Sequence, residues 1–402
     1  MISSLQSPAY RIYFFGTLGQ SASMSMQMVT GPLLIYRLTD SAALLGTMAL
    51  VGAVPMIIVS LFGGAIADRI QKKQILIAGL ICSALISMGV ALALATGLLS
   101  RENSGSWWIL MASSFCQGII GGLMMPALQA MIPEIVSKEQ LVNAVALNML
   151  GMNVMSLVAP GIAGFMIDAF DFQAVYYIAA GLYVYEVLFI LFIPRTSQIA
   201  ASEGKILTDI QEGFDYIRRD SMMIFILAFT LAGVVLSMPY QQFLPIFEDN
   251  ILKVGATGMG VLMSVSGVGA LVGSLILTSL PNKKRGIMLL ASGLISGLSL
   301  IGFALSSSWV LSLAFVFFAG LGQTIRGTIG SALLQTYTGA RYMGRVMSII
   351  GIQWGVMSLC TFLAGILAEV VAIQFVIGGL AIVLTIFSVL SMIFSPGIRK
   401  LD

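Results

Sequence analysis

Few residues in this sequence could do chemistry, and the commonest reagents are missing. It contains no histidine, which removes His-based acid–base catalysis, His metal ligands and His pH switching together. Its three cysteines, Cys82, Cys116 and Cys360, all lie inside apolar runs. They read as small buried hydrophobes and imply no disulfide framework, metal site or cofactor. Two charges fall within long apolar stretches, Glu186 and Arg326. An ionisable group at membrane depth is costly unless paired or wet, so each is a candidate for function. Arg326 reads either as an anion or proton-coupling site or as a structural pair that fastens helices. Glu186 reads as the proton-coupling candidate, or as an acid that finds a local hydrogen-bond partner. Gln20, Ser23, Met24 and Gln27 recur at i, i+3, i+4 and i+7 and share one helix face, with Gln117 and Gln323 as comparable lone amides elsewhere. Each amide fits substrate contact or interhelical hydrogen bonding equally.

Two backbone-driven patterns join them. The stretch Gly64-Ala65-Ile66-Ala67-Asp68-Arg69-Ile70-Gln71-Lys72-Lys73 ends an apolar run and sets a carboxylate beside three cations. A carboxylate at a helix end can pair with those cations and with a neighbouring helix N-terminus. Such a contact can form in one conformation and break in another. Within a later run, Pro160 removes one helix hydrogen bond, while Gly161 and Gly164 permit close approach of a neighbouring helix.

The elements that must position these residues are membrane helices. Charged residues make up 9% of the 402 and AVILMFWYC 58%, against roughly 25% charged in soluble domains. The mean hydropathy is +1.00. So few charges exclude a soluble globular domain, so much apolar material excludes a disordered chain, and long unbroken runs exclude an outer-membrane barrel. A net charge of +3 implies no nucleic-acid partner, and no cleavable signal peptide is apparent. At about 20 residues per span, twelve spans are expected: Ile12–Tyr36, Ala42–Ala67, Gln74–Gly97, Trp107–Ile132, Leu141–Ile167, Ala174–Ile193, Met222–Phe247, Val254–Leu280, Gly286–Ser306, Trp309–Gln335, Gly344–Val371 and Gln374–Phe394. With the N-terminus inside, 16 of the 20 Lys and Arg fall in cytoplasmic segments and 3 outside. The positive-inside rule therefore places both termini in the cytoplasm.

The longest polar stretch, 194–220, divides the chain six plus six. Within it Leu207, Ile210, Phe214 and Ile217 recur at helical spacing, which predicts a short amphipathic helix on the cytoplasmic surface. The expected organisation is an N-terminal six-helix bundle over 1–194, a linker over 195–221 and a C-terminal six-helix bundle over 222–402. The halves echo each other: Gly64 and Gly273 both precede a basic turn, and Leu128-Gln129 and Leu334-Gln335 end spans four and ten. Two six-span repeats are a secondary-transporter arrangement, with a substrate site near the midplane.

The 64–73 stretch resembles the G-x-L-A-D-R-x-G-R-R/K signature of the major facilitator superfamily, with Ile66 for Leu and Gln71 for Gly. Leu34–Ser41, Pro126–Val136, Leu141–Ala144 and Gly344–Ser348 are similar to its drug:proton antiporter branch, which includes macrolide-efflux and enterobactin-type siderophore exporters. Ala159–Gly164 is similar to the G-P-x-x-G motif of antiporters. The resemblance implies the all-α, twelve-helix major facilitator fold in the inner membrane. It makes Gly64, Asp68, Arg69, Lys72 and Lys73 a gating motif and Pro160, Gly161 and Gly164 a hinge. It also puts spans one, four and ten on the central cavity, so Gln20, Met24, Gln27, Gln117, Gln323 and Arg326 become cavity residues. Ser114 stands where many drug antiporters carry an Arg, so coupling must lie elsewhere or use another ion.

The function expected is secondary export of an amphipathic organic molecule by alternating access against inward proton flow. The chain would work as a monomer in the bilayer, with a small-molecule substrate and protons as its partners. A lipid or lysolipid carrier, or an importer on the same fold, is the alternative. An intramembrane enzyme is disfavoured by the absence of His and the scarcity of intramembrane acids. No G-x-x-x-x-G-K-[ST] loop is present, which argues against ATP-driven transport.

Overall fold

A computed structural model describes residues 3–69, 71–103, 105–137, 139–193, 218, 220–280, 283–338, 343–399 and 401. The expected amphipathic linker helix lies outside the described residues. Among those described, twelve long helices follow one another. They are α1 (Pro8–Thr39), α2 (Ala42–Arg69), α3 (Lys72–Ala95), α4 (Trp108–Ile135), α5 (141–170), α6 (172–191), α7 (Ser221–Ser237), α8 (Gly255–Ser279), α9 (Arg285–Leu305), α10 (Trp309–Tyr337), α11 (Met343–Ala368) and α12 (Ile373–Phe394).

Nine stretches among the described residues are long and apolar enough to cross a membrane by hydropathy alone. One of these is α5 and α6 read together. Their division comes from Asp171, at φ 68° and ψ 169°, a backbone region that belongs almost wholly to glycine. Its carboxylate accepts from the Phe172 N–H at 2.6 Å, which satisfies a donor at the start of α6. Helix α1 falls below the hydropathy threshold because it carries Gln20, Ser21, Ser23, Ser25 and Gln27.

Local signals set several ends. Ser7 caps α1 by accepting from the Tyr10 N–H at 3.4 Å, with Pro8 at the first helical position, where a missing N–H costs nothing. Asp220 caps α7 through the Met222 N–H at 2.9 Å. The break expected between the last two spans is present, between Ala368 and Ile373. One expected span is shorter: α7 stops at Ser237 rather than running to Phe247. Pro239 and Pro245 each remove a backbone donor, and the chain continues through a short helical turn at Pro239–Gln241 to a π-helical turn at Phe247–Leu252.

The helices gather into two compact units. Unit 1 comprises Met1–Asp40, Met48–Glu203 and Gly255–Val261, and unit 2 comprises Ser41–Thr47, Gly204–Val254 and Leu262–Asp402. In unit 1, α1 packs on the α5–α6 pair, and α3 packs on α4 and that pair. Their core holds Tyr10, Tyr13, Leu76, Leu80, Ala127 and Met131. Close approach in this unit uses Gly118 and Gly122 of α4, where a Cβ would meet the α2 backbone at Gly52 and Met56. In unit 2, α9 packs on α10 and α12, and α7 touches α10, α11 and α12, around Ile226, Phe229, Leu289, Leu290, Ile329 and Leu333. Large apolar side chains such as Leu85, Phe165 and Phe375 remain exposed. Such extensive exposed apolar surface fits lipid as the solvent.

Candidate functional site

The residues singled out in the sequence fall into separate polar clusters inside the two units. In unit 1, α1 and α6 meet closely because α1 offers glycine. A Cβ at Gly16 would lie 3.1 Å from Phe189 Cβ and 3.5 Å from Glu186 Cγ. Glu186 is fully buried there, and neither carboxylate oxygen has a hydrogen-bond partner among the described residues. Around it the polar face of α1 is spent on α6. Ser23 donates to the Ala179 carbonyl at 3.2 Å, and Gln27 donates to Ser23 at 3.3 Å and to the Tyr183 hydroxyl at 3.1 Å. Gln20 is buried as well. Met24 is 52% exposed, so the fourth member of the expected stripe departs from the other three. Gln117 lies apart, between α3 and α4, and accepts from Ser83 at 3.0 Å.

An isolated ionised carboxylate carries a solvation cost of several kcal/mol in such surroundings. Among the described residues no hydrogen bond or ion pair offsets that cost at Glu186. A group of this kind can take up a proton when its pocket closes and release it when water enters.

In unit 2 the counterpart is a cation. Arg326 on α10 is 2% exposed and lies against Gly233 of α7, where a Cβ would collide with the guanidinium. Its Nη2 donates to the Ser237 hydroxyl at 3.0 Å, and Nη1 has no hydrogen-bond partner. Gln323, one turn earlier, donates to the Ser237 carbonyl at 3.2 Å. Arg326 and Gln323 thus share a site on α7.

Gly64, Asp68 and Arg69 occupy the last turns of α2, but their side chains fall outside the described set. Lys72 and Lys73 of the same motif are engaged within unit 1. Lys72 is 3% exposed and pairs with Glu134 at the end of α4, and Lys73 donates to the Leu191 and Ile193 carbonyls at the end of α6, at 2.8 and 2.6 Å. A cation at a helix C-terminus complements the carbonyl end of the dipole.

Pro160, Gly161 and Gly164 pack on the first turn of α8, which belongs to unit 1. A Cβ at Gly164 would meet the Ala256 carbonyl, and one at Gly260 would meet that of Pro160. Asp168, a turn further along α5, accepts from the Ala256 N–H at 3.1 Å, the Thr257 N–H at 2.8 Å and the Thr257 hydroxyl at 2.6 Å. Unit 2 repeats the device. Glu369, after α11, accepts from the Ser41 hydroxyl at 2.6 Å and the Ala43 N–H at 2.8 Å at the start of α2. These donors hold the Glu369 carboxyl below its ordinary range, the Ala43 N–H contributing most. Sequence reading missed both acids as caps. Their signal was positional: Asp168 directly follows expected span five, and Glu369 lies in the last turn of expected span eleven.

A sequence model of the Major Facilitator Superfamily matches residues 13–359. The chain belongs to this superfamily. It is a multi-pass membrane transporter rather than an enzyme, and its substrates are small molecules. Curated relatives named enterobactin exporter EntS include one from Shigella boydii serotype 4 (strain Sb227), 25% identical over 342 residues. That match spans 84% of this chain and 80% of the relative. One from Escherichia coli O139:H28 is 24% identical over the same shares. Among solved structures, a POT family transporter in complex with 5-aminolevulinic acid aligns with a TM-score of 0.77 at 14% identity, over 97% of this chain and 96% of that one. The nucleoside transporter NupG aligns at 0.73 and 14%, over 95% and 99%. At such identities the likeness is one of fold, and that fold is the twelve-helix one expected from the sequence.

Proposed function

We propose that this transporter is an inner-membrane exporter of a siderophore-like, amphipathic organic compound, working by alternating access against inward proton flow. The observation that carries the direction and substrate class is similarity to proteins named enterobactin exporter over most of both chains. The coupling assignment rests on Glu186, buried without cation or hydrogen-bond partner. In the outward step the acid gives up its proton inside; in the return step it is reloaded from outside. Both termini are cytoplasmic, as the distribution of Lys and Arg favours. Gln20, Met24, Gln27, Gln117, Gln323 and Arg326 belong to the substrate path. The 64–73 motif acts as the inner gate, with Asp68 as its switching acid, and Pro160, Gly161 and Gly164 act as the hinge of α5.

The test is uptake of enterobactin into inside-out proteoliposomes. Acidifying the lumen should drive accumulation, and a protonophore should abolish it. Uptake that ignores the proton gradient would remove the coupling half of the proposal. A lack of any enterobactin movement, with other amphipathic compounds carried, would remove the substrate half.

A further inference from the structure

The seam around Arg326 is rich in donors and lacks an anion. Along α7 it is built from Thr230, Gly233 and Ser237, at i, i+3 and i+7, on one helix face. Both hydroxyl hydrogens are committed to their own helix. Thr230 donates to the Ile226 carbonyl at 2.8 Å and Ser237 to that of Gly233 at 2.7 Å. The hydroxyl oxygens are then acceptors only, and both are already used. Ser237 accepts from Arg326 at 3.0 Å and Thr230 from Gln353 of α11 at 3.3 Å. Gln323 takes the Ser237 carbonyl at 3.2 Å. Side-chain N–H groups from three residues thus converge on neutral oxygens.

The charge is uncompensated too. Among the described residues no carboxylate is paired with Arg326. A guanidinium keeps its proton at any working pH, so this charge cannot be removed by titration. Its Nη1 is buried without a partner. A structural fastener would use its donors on protein acceptors, or on a neighbouring acid. Here one arm of the fork is left over, and Gly233 supplies the space in which it lies. Gln323, at the edge of the seam, is partly exposed.

We infer that Arg326, with Gln323, is the recognition point for a planar oxyanion such as a carboxylate on an otherwise apolar substrate. A planar fork matches two coplanar oxygens better than an ammonium does. This inference rests on the transporter reading and narrows its substrate class.

The experiment compares 1-naphthoate with its neutral counterpart 1-naphthamide, using purified full-length protein in detergent. Ligand-induced stabilisation is followed by thermal unfolding across a titration. 1-Naphthoate should raise the unfolding temperature of the wild type in a saturable way, and 1-naphthamide should not. Arg326→Gln should weaken the 1-naphthoate response at least tenfold. Arg326→Lys, which keeps the charge and loses the fork, should weaken it several-fold and guards against a folding failure in the Gln variant. Equal responses to the two compounds, or an undiminished 1-naphthoate response in either variant, would overturn the inference. Failure here with proton-driven enterobactin uptake intact refutes only the anion site. Failure of uptake with the Arg326-dependent response intact refutes the export reading alone.

Discussion

Glu186→Gln is the most discriminating single change. The side chain is fully buried and neither carboxylate oxygen has a partner among the described residues, and an amide is nearly the isostere of the neutral acid. Removing the acid should therefore change unfolding stability by less than about 1 kcal/mol, since no interaction with a charge is lost. Had the group been an ionised partner in a buried pair, the loss would be about 3–5 kcal/mol. The transport effect runs the other way. Each proton entering supplies about 2.3 kcal/mol from a potential of 100 mV, before any charge on the substrate is counted. One pH unit adds about 1.4 kcal/mol. Together these are about 3.7 kcal/mol, roughly a 500-fold concentration ratio at about 1.4 kcal/mol per decade. Gln cannot carry the proton, so accumulation in proteoliposomes under that gradient should lose this roughly 500-fold proton-driven factor. Exchange of labelled for unlabelled substrate, which needs no net proton movement, should persist. Accumulation by the Gln variant at the wild-type level would refute the assignment. A fall in accumulation and exchange together would make Glu186 structural.

Four other outcomes are expected. Asp168→Ala removes three hydrogen bonds at the start of α8 and should cost about 1–2 kcal/mol in detergent unfolding; in unit 2 the Glu369 cap, whose folded pKa is depressed, should hold above the ordinary carboxylate range and weaken as pH falls through its lowered value. Glu134→Gln strands the buried Lys72 and should destabilise by about 3–5 kcal/mol, while replacing both residues with apolar ones of similar size should recover most of that loss, read by the same unfolding assay. Single cysteines at Asn103 and Asp249, both exposed, should react with an impermeant thiol reagent in intact cells and one at Lys205 should not; labelling at Lys205 from outside would reverse the orientation.

Much of this protein follows from sequence alone, for a physical reason. A bilayer offers backbone groups no partners, so an apolar run of sufficient length must become a helix. Composition and run length therefore lead to twelve helices, and the Gly-Pro, small-xxx-small and basic-turn patterns mark where helices approach and end. Gly118 and Gly122 lie where such a pattern predicts, against a neighbouring backbone. Hydropathy also picks out Glu186 and Arg326 as costly, because a charge inside an apolar run is visible in one dimension.

What a buried group touches is not visible there, because partners lie on other helices far along the chain. That Glu186 is partnerless depends on Gly16 bringing α6 onto α1, and that Arg326 lies against α7 depends on Gly233. Lys72 and Lys73 read as cations of the 64–73 motif, and only the fold shows Glu134 and the α6 carbonyls engaging them. The stripe on α1 obeys helical spacing, but packing buries Gln20 and Ser23 and exposes Met24, since burial depends on which neighbours a face meets. Helix α7 ends early because Pro239 and Pro245 interrupt a run that hydropathy reads as continuous. Asp168 and Glu369 are ordinary acids after apolar spans until tertiary packing brings a helix N-terminus to each. Only then do unsatisfied N–H groups give those carboxylates something to hold.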